Sequence, residues 1–246
     1  MFTIIIPWKY SKERFPLLNN VLTCIEKQDK TIQYQIILVE HVNINDVPPI
    51  CIRRHHLDHI SVSSNQDFNK SWLMNVGAKL AKYPYLVFID ADTIFGNDFF
   101  KKIAERIEDR WRVFFCWESL IAEAGRDNPK ERIIQPHMTM AMGGIWCIES
   151  LLYWNVGGMN ENFFGYGGED NEMFERIAAV IGYLPCQSMM HYTLTHQYHH
   201  WVKPSAVATP LFEIGKKYPV EIIRRLKEKN LGQITGPTLI EMGDLK

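Results

Sequence analysis

The chain has 246 residues, of which 46% are hydrophobic and 22% charged, and its formal net charge is -1. These values are ordinary for a globular protein, and a chain of this length can bury a substantial core. General nucleic-acid binders are far more basic, so the charge disfavours that class of partner. Five widely spaced cysteines without a CxxC pair support neither a zinc ribbon nor a disulfide framework.

No segment of the sequence has the pattern of a membrane anchor or a leader. The N-terminal apolar run is too short for a signal peptide. No apolar run approaches the roughly 20 residues that span a bilayer. The sequence therefore predicts a soluble, cytoplasmic protein with no transmembrane segment and with reduced thiols.

In the first 110 residues, short apolar runs alternate with segments of helical periodicity. This order predicts an α/β fold, with a parallel sheet covered by helices. The predicted strands are residues 3–6, 35–39, 60–62 and 85–89, and the predicted helices are residues 15–28, 69–82 and 98–110.

The second half of the sequence is more mixed. It predicts strands at 111–117 and 138–148, a polar loop at 122–132, and helices at 149–156, 170–181 and 220–229. We expect one domain over residues 1–210 and a helical tail over residues 211–246. The basic residues of the last helix are interpreted as a solvated face in preference to an anion-binding surface.

Asp90 and Asp92 directly follow the strongest predicted strand. Ligands of open parallel sheets gather at the carboxyl ends of the strands. Two carboxylates so close together repel each other unless a cation compensates. A divalent metal would do this and would also hold a diphosphate. The alternative is a solvated turn.

A glycine-rich segment at 163–170 opens the predicted helix at 170–181. Its three glycines would let a ligand approach the backbone, and its aromatic rings offer a surface on which sugars stack. Glu169 and Asp170 lie at the helix start, where the dipole favours ionised carboxylates, as a general base requires. The alternative is a loop with helix-capping acids.

Four of the nine histidines cluster towards the C-terminal part. Imidazole suits manganese or zinc beside carboxylates, and we expect at most one or two of the four to bind metal. The clustered residues are His191, His196, His199 and His200. We expect His55, His56 and His59 to be solvated, whereas His41 and His137 have no interpretable context.

Four sequence blocks, in this order, resemble glycosyltransferases of the GT-A fold. The sequence is most similar to the metal-dependent β-1,4-galactosyltransferase and N-acetylgalactosaminyltransferase group and its bacterial family 2-like relatives. The blocks are IIIPWK at 4–9, FNKSWLMNVG at 68–77, VFIDAD at 87–92, and glycine pairs at 143–144 and 157–158 with YGGED at 166–170.

The resemblance implies a Rossmann-like, mainly parallel sheet flanked by helices. It also implies an inverting, metal-dependent transfer of a hexose or N-acetylhexosamine. The donor would be a nucleotide-sugar, with UDP favoured, the acceptor a glycan or other hydroxyl compound, and the cofactor Mn²⁺ or Mg²⁺. The rival hypotheses are a non-catalytic nucleotide-sugar or glycan binding module and a metal-dependent phosphoesterase.

The resemblance also implies roles for individual residues. Asp170 would be the catalytic base. The metal would be bound by Asp92, by His196 or its competitor His191, and by Asp90 directly or through water. Residues that would contact donor or acceptor are Pro7, Trp8, Lys9, Glu40, Phe68, Lys70, Asp90, Gly144, Tyr166, Gly168 and Glu169.

Overall fold

The computed structural model describes residues 1–44, 52, 54, 56–122, 144–182, 189–197 and 205–241. Several sequence predictions lie outside these ranges: residues 123–132 of the predicted loop, the start of the strand predicted at 138–148, and His55, His137, His199 and His200. The side chain of His191 is also outside the described part, although its backbone belongs to a strand.

The first half of the chain forms the predicted alternation of strands and helices. Its four strands lie side by side in the order β3-β2-β1-β4, and each neighbouring pair is parallel. The elements are β1 (Phe2–Trp8), α1 (Phe15–Glu26), β2 (Tyr34–Val42), β3 (Leu57–Ser63), α2 (Lys70–Leu80) and β4 (Tyr85–Ile89).

The second half extends the same sheet with strands of both directions. The strand order is β3-β2-β1-β4-β7-β6-β8-β5, with β7 antiparallel to both β4 and β6, β6 parallel to β8, and β5 antiparallel to β8. This confirms the predicted mixed, mainly parallel sheet. The elements are β5 (Thr93–Ile94), α3 (Phe99–Glu108), β6 (Val113–Ala122), β7 (Ile145–Glu149), α4 (Ser150–Asn155), α5 (Glu169–Ile181), β8 (Met189–Gln197), α6 (Ala208–Lys217) and α7 (Pro219–Lys227).

The sheet separates two apolar core layers. Ile4 and Ile6 of β1 face the layer that contains residues of α1 and α3, whereas Ile5 faces the layer that contains residues of α2 and α5. Successive strand residues point to opposite faces, and helices cover both faces, so β1 is buried along its whole length. Helix α2 packs especially closely, because a Cβ at Gly77 would lie 2.4 Å from Ile5.

Three elements, the two-residue strand β5 and the longer β8 and α6, are absent from the sequence predictions. β8 mixes apolar and polar residues, and its partners β6 and β5 are distant in sequence. α6 contains Pro210 and Gly215, which discourage a helix assignment. Gly215 is needed at this position, because a Cβ there would lie 2.4 Å from Cγ of Glu172.

The C-terminal residues pack closely against the rest of the described chain. Ile222, Leu226, Leu231 and Ile240 form a third apolar cluster, against which Trp154 of α4 packs. α6 crosses the boundary placed at residue 210, and the division into a domain and a tail stays a prediction. No helix in the described ranges is both long and apolar enough to cross a membrane.

Candidate active site

The Asp90–Asp92 turn lies at the carboxyl end of β4 and is held by backbone hydrogen bonds on both sides. The Asp90 amide donates to the Gly144 carbonyl (2.9 Å), just before β7, and the Gln197 amide at the end of β8 donates to the Asp92 carbonyl (2.8 Å). Gly144 therefore contributes its backbone to the site. Two strands of the second half fix the direction in which the turn presents its carboxylates.

Lys70 brings three carboxylates together from separate stretches of the chain. Its Nζ lies 2.8 Å from Asp90 Oδ1, 3.3 Å from Asp170 Oδ2 and 3.6 Å from Glu169 Oε1. Lys70 begins α2, and Asn69 caps that helix by accepting a hydrogen bond from the Trp72 amide (2.8 Å). The acidic residues of the two sequence motifs thus meet at one point, with an ammonium between them.

The cluster holds more negative than positive charge, which changes the protonation of its members. Burial opposes the charge of Lys70, but Asp170, Asp90 and Glu169 outweigh it and raise the pKa of the Lys70 ammonium well above its usual value. Burial raises the pKa of Asp170 to about 8, with further contributions from Glu169 and Asp90 and against the influence of Lys70. Burial also raises the pKa of Asp90.

This protonation differs from the sequence expectation for Asp170. The start of α5 was expected to favour the ionised carboxylate through the helix dipole. The Asp170 side chain is only 17% exposed, and burial beside other carboxylates favours the neutral acid instead. Its Oδ1 is buried and has no hydrogen-bond partner among the described residues.

Asp92 and His196 form a second pair beside this cluster. Asp92 Oδ1 lies 3.4 Å from His196 Nε2, and His196 is opposite Thr93 in the pairing of β8 with β5. A carboxylate oxygen with an imidazole nitrogen is a donor set that suits manganese. Within the described ranges, however, no three His, Cys, Asp or Glu side chains are grouped to hold a metal ion. Two other ligands were predicted. Asp90 is ion-paired with Lys70, and the side chain of His191 lies outside the described part.

Two of the three glycines in the 163–170 segment pack closely against other parts of the protein. Gly165, Gly167 and Gly168 all have positive φ values, at 81°, 99° and 87°. A Cβ at Gly165 would lie 3.0 Å from Ser205 Cβ, and one at Gly168 would lie 3.2 Å from the Ala208 carbonyl. These two glycines therefore pack closely against residues 205–208, and their contact with a ligand stays a prediction. Tyr166 remains half exposed beside the acidic cluster.

The residues predicted to line a nucleotide pocket lie where β1 and β2 end. Pro7 and Trp8 are the last residues of β1, and Trp8 is opposite Glu40 of β2. Glu40 is buried and its Oε2 lies 2.9 Å from His59 Nε2 on β3, so His59 is not solvated as predicted and Glu40 already has a protein partner. Lys9 Nζ donates to Asn43 Oδ1 (3.4 Å).

His41 lies behind Phe68 and was not identified from the sequence. Its ring stacks on Phe68 with 6.4 Å between centroids, meets Trp72 edge-to-face at 5.6 Å, and has Nε2 3.2 Å from the Ser64 carbonyl. Burial lowers the pKa of His41, so the neutral ring predominates at neutral pH. Its position directly after Glu40, at the end of a buried strand, is the signal that could have indicated it.

The fold and the charged site define an α/β protein of the GT-A glycosyltransferase class. A family model described as glycosyl transferase family 2 matches residues 3–161, and the chain belongs to this family. A second model, described as the N-terminal domain of galactosyltransferase, matches residues 132–200. Both matches confirm the resemblance seen in the sequence.

Individual relatives agree with this assignment. β-1,4-Galactosyltransferase 4 is 23% identical over 184 residues in Rattus norvegicus and 24% identical over 184 residues in Mus musculus. Each alignment covers 69% of this chain and 45% of the relative, so the chain spans less than half the length of these curated relatives.

Solved structures show the same fold at low sequence identity. S. aureus TarS 1–349 in complex with UDP matches with a TM-score of 0.59 and 14% identity, over 92% of this chain and 69% of that one. Drosophila β-1,4-galactosyltransferase 7, in a mutant complex with manganese, UDP-Gal and xylobiose, matches with a TM-score of 0.52 and 15% identity, over 81% and 71% of the two chains.

Proposed function

We propose that the chain is an inverting, metal-dependent glycosyltransferase that moves a hexose or N-acetylhexosamine from a UDP-sugar to an acceptor hydroxyl. The observation that carries this proposal is the contact of one ammonium, on Lys70, with carboxylates of both acidic motifs. Charge of both signs at the carboxyl end of a parallel sheet suits a diphosphate and an incoming alcohol. Membership of the family and the UDP and UDP-Gal complexes of structural neighbours support the same chemistry.

Lys70 is the protein group that would stabilise the leaving nucleoside diphosphate. Cleavage of the donor bond places negative charge on the diphosphate, and a cation already held in place stabilises it without reorganisation. The Lys70 side chain is 14% exposed and its raised pKa keeps it charged. A donor phosphate would bind the same ammonium that contacts Asp90 and Asp170.

Asp170 would remove the proton of the acceptor hydroxyl. Its Oδ2 accepts a hydrogen bond from Lys70, while its buried Oδ1 has no described partner and can accept a proton. A base with a pKa near the working pH is the most efficient, and about 8 meets that condition. With no protein nucleophile between donor and acceptor, the hydroxyl attacks the anomeric carbon directly and the configuration inverts.

Asp92 and His196 would hold the divalent ion, which is Mn²⁺ or Mg²⁺. Their 3.4 Å separation allows both atoms to bind one ion. When bound, the ion supplies positive charge to the diphosphate as a Lewis acid. The half-exposed Tyr166 ring offers a surface for sugar stacking, with Glu169 close by to bind sugar hydroxyls.

Turnover of sugar nucleotides tests the proposal. The chain would be incubated with UDP-Gal, UDP-GalNAc, UDP-Glc or UDP-GlcNAc, Mn²⁺ and a panel of glycan acceptors, and released UDP and transferred sugar would be measured. Asp170→Asn should lower kcat about 10²–10⁴-fold with donor binding intact, which is the usual contribution of a general base. Donor binding by the wild-type chain with neither transfer nor hydrolysis would favour a binding module instead.

A further inference from the structure

The segment at residues 231–241, here called the strap, crosses α2 and the loop that leads into α5. Trp72 Nε1 of α2 donates to the Gln233 carbonyl (2.6 Å). Asn162 exchanges two hydrogen bonds with the Ile240 backbone, one of 2.7 Å to its carbonyl and one of 2.9 Å from its amide. The strap is therefore joined to two elements that precede it by about 80 to 160 residues in sequence.

The Glu161 carboxylate lies at the centre of these contacts and is fully buried. Its Oε1 accepts from Asn75 Nδ2 (2.8 Å) and from the Gly232 amide (2.6 Å), and its Oε2 accepts from the Thr238 amide (2.5 Å). Gly232 must be a glycine here, since a Cβ would lie 2.7 Å from the Asn75 carbonyl. A buried carboxylate requires such donors, and two of them come from the strap.

Glu161 is bonded to the residue that caps the Lys70 helix, and the loop that follows Glu161 is bonded to the residue before that cap. The Glu161 carbonyl accepts from Asn69 Nδ2 (2.7 Å), and Asn69 caps the helix that begins with Lys70. On the other side, the Gly165 amide donates to the Phe68 carbonyl (2.7 Å). Lys70 and Asp170, 3.3 Å apart, are carried by the two segments that these bonds hold together.

We propose that Glu161 is a positioning residue for the transfer reaction and that the strap, through Glu161, fixes the contact between Lys70 and Asp170. The kinetic part of this inference rests on the proposed function. Glu161 touches neither Lys70 nor Asp170 in any described contact, so it acts through Asn69, Asn75 and the loop before α5. A strap that only covered apolar surface would contribute to stability without affecting kcat in a folded variant.

Two variants weaken the hydrogen bonds between Glu161 and the strap, one from the side of Glu161 and one from the side of the strap. Glu161→Gln replaces one accepting oxygen by an amide that cannot accept, so at least one of the three donors loses its partner. Thr238→Pro removes the amide that donates to Glu161 Oε2 and leaves Glu161 intact. Thr238→Val is the matched control, because it keeps that amide and loses only the hydroxyl bond to the Asn230 carbonyl.

Kinetics would be measured well below the melting temperature of each variant. We expect Glu161→Gln and Thr238→Pro to lower kcat about 10²-fold, the scale expected for misplaced reacting groups, with donor KM changed less than about threefold. Thr238→Val should retain the wild-type kcat. If either disruptive variant folds and keeps a wild-type kcat, the inference is wrong, and if Glu161→Gln does not fold, Thr238→Pro decides.

Hydrogen exchange separates this inference from the proposed function. The Gly165 amide, which bonds the Phe68 carbonyl, reports on the loop that leads into α5 and Asp170. We expect it to exchange at least about tenfold faster in Glu161→Gln than in the wild-type chain, and at the wild-type rate in Thr238→Val. Unchanged exchange in Glu161→Gln would overturn the positioning role whether or not the wild-type chain transfers sugar. A wild-type chain without turnover would overturn only the proposed function.

Discussion

The pair formed by Lys70 and Asp170 links the electrostatics of the site to its chemistry. Lys70 lowers the pKa of Asp170, whereas burial, Glu169 and Asp90 raise it by more. The balance leaves Asp170 largely protonated at neutral pH in the absence of substrates. Since Asp170 must be ionised to act as the proposed general base, the protein without substrates should be best prepared for reaction in mildly alkaline solution.

We therefore predict that kcat/KM rises with pH along a limb centred near 8, the pKa of Asp170. The reason is that only the fraction of enzyme with ionised Asp170 can accept the acceptor proton. Initial rates between pH 6 and 9.5 at a fixed, low donor concentration would measure the limb. Asp170→Asn should give a low rate without that limb, and a wild-type limb unchanged in the variant would show that another group titrates.

The same raised pKa predicts that the stability of the folded chain falls as pH rises, whereas kcat/KM rises. Folding raises the pKa of Asp170 from 3.8 to about 8, so the unfolded chain loses this proton first and stability falls as pH rises between these values. Asp170→Asn has no such titration. Its melting temperature should exceed that of the wild type by at least about 2–4 °C at pH 8, the shift that 1 kcal/mol gives in a chain of this size.

Thermal melts at several pH values would test this prediction. The difference in melting temperature between Asp170→Asn and the wild type should grow steadily from pH 4.5 to pH 8. A difference that is constant over that range, or that shrinks towards pH 8, would contradict the raised pKa. Asp170→Asn should therefore lose activity and gain stability, because a carboxylate that is buried among other carboxylates destabilises the folded state.

At the residue scale, the acidic residues of the candidate site were predictable from the sequence, but the side chains that pair with acidic residues were only partly predictable. Asp90 and Asp170 follow from their places at a strand end and a helix start, and Lys70 was indicated by the resemblance. The Glu40–His59 pair was missed, because it depends on the register between β2 and β3. Register is set by tertiary pairing, which a strand pattern does not encode.

At the element scale, the buried Arg176 of α5 pairs with Glu172 of the same helix and also connects α5 to the turn after α4. Arg176 donates to both carboxylate oxygens of Glu172, at 2.9 and 2.8 Å, and also to the Val156 and Gly158 carbonyls. Both side chains are fully buried. Because α5 begins with Glu169 and Asp170, these contacts anchor the helix that carries two carboxylates of the candidate site.

We predict that Arg176→Met lowers the free energy of unfolding by about 3–5 kcal/mol, since it leaves the buried Glu172 carboxylate without its cation. Urea unfolding at pH 7 would measure the loss. The matched control is Arg224→Met, which removes the ion pairs of Arg224 with Glu221 and Glu228 from the exposed surface of α7 and should leave the free energy of unfolding nearly unchanged. Similar losses for both variants would show that the buried Glu172–Arg176 pair contributes no more to the free energy of unfolding than an exposed pair does.

The elements themselves were predictable where one pattern dominated. The strands and helices of the first half were anticipated because their apolar periodicity agrees with the fold. β8 was not, since its polar residues were interpreted as ligands and only its pairing with β6 and β5 makes it a strand. α6 was not predicted, because Gly215 weakens the helical signal in the sequence. That glycine is required by close packing against Glu172, which the sequence pattern does not show.

At the scale of the whole molecule, the site is assembled from distant parts of the chain. The first half supplies Lys70 and the Asp90–Asp92 turn, α5 supplies Asp170, and β8 supplies His196. Residues 205–208 pack on the glycine loop, and the strap binds Glu161. A ligand that binds both the Lys70 cluster and the Asp92–His196 pair would therefore connect elements from most of the fold and should stabilise the folded state as a whole.

Melting curves test that connection, and they require no acceptor. We predict that UDP and Mn²⁺ together, at about 100 times their dissociation constant, stabilise the chain by about 2.7 kcal/mol. In a chain of this size that corresponds to a rise of about 5–10 °C in melting temperature. Mn²⁺ alone should give much less, because within the described part only Asp92 and His196 are paired to receive it and a diphosphate would supply the further oxygen ligands.

Two variants show whether this stabilisation depends on the proposed ligands. Asp92→Asn should abolish most of the rise produced by UDP with Mn²⁺. Asp109→Asn, which removes the same charge from the exposed end of α3, should retain it. The comparison separates the proposed metal-binding role of Asp92 from the effect of lowering the negative charge, because both variants change the net charge by the same amount. An equal rise in all three proteins would place the ion elsewhere and would leave Lys70 as the group that binds the diphosphate.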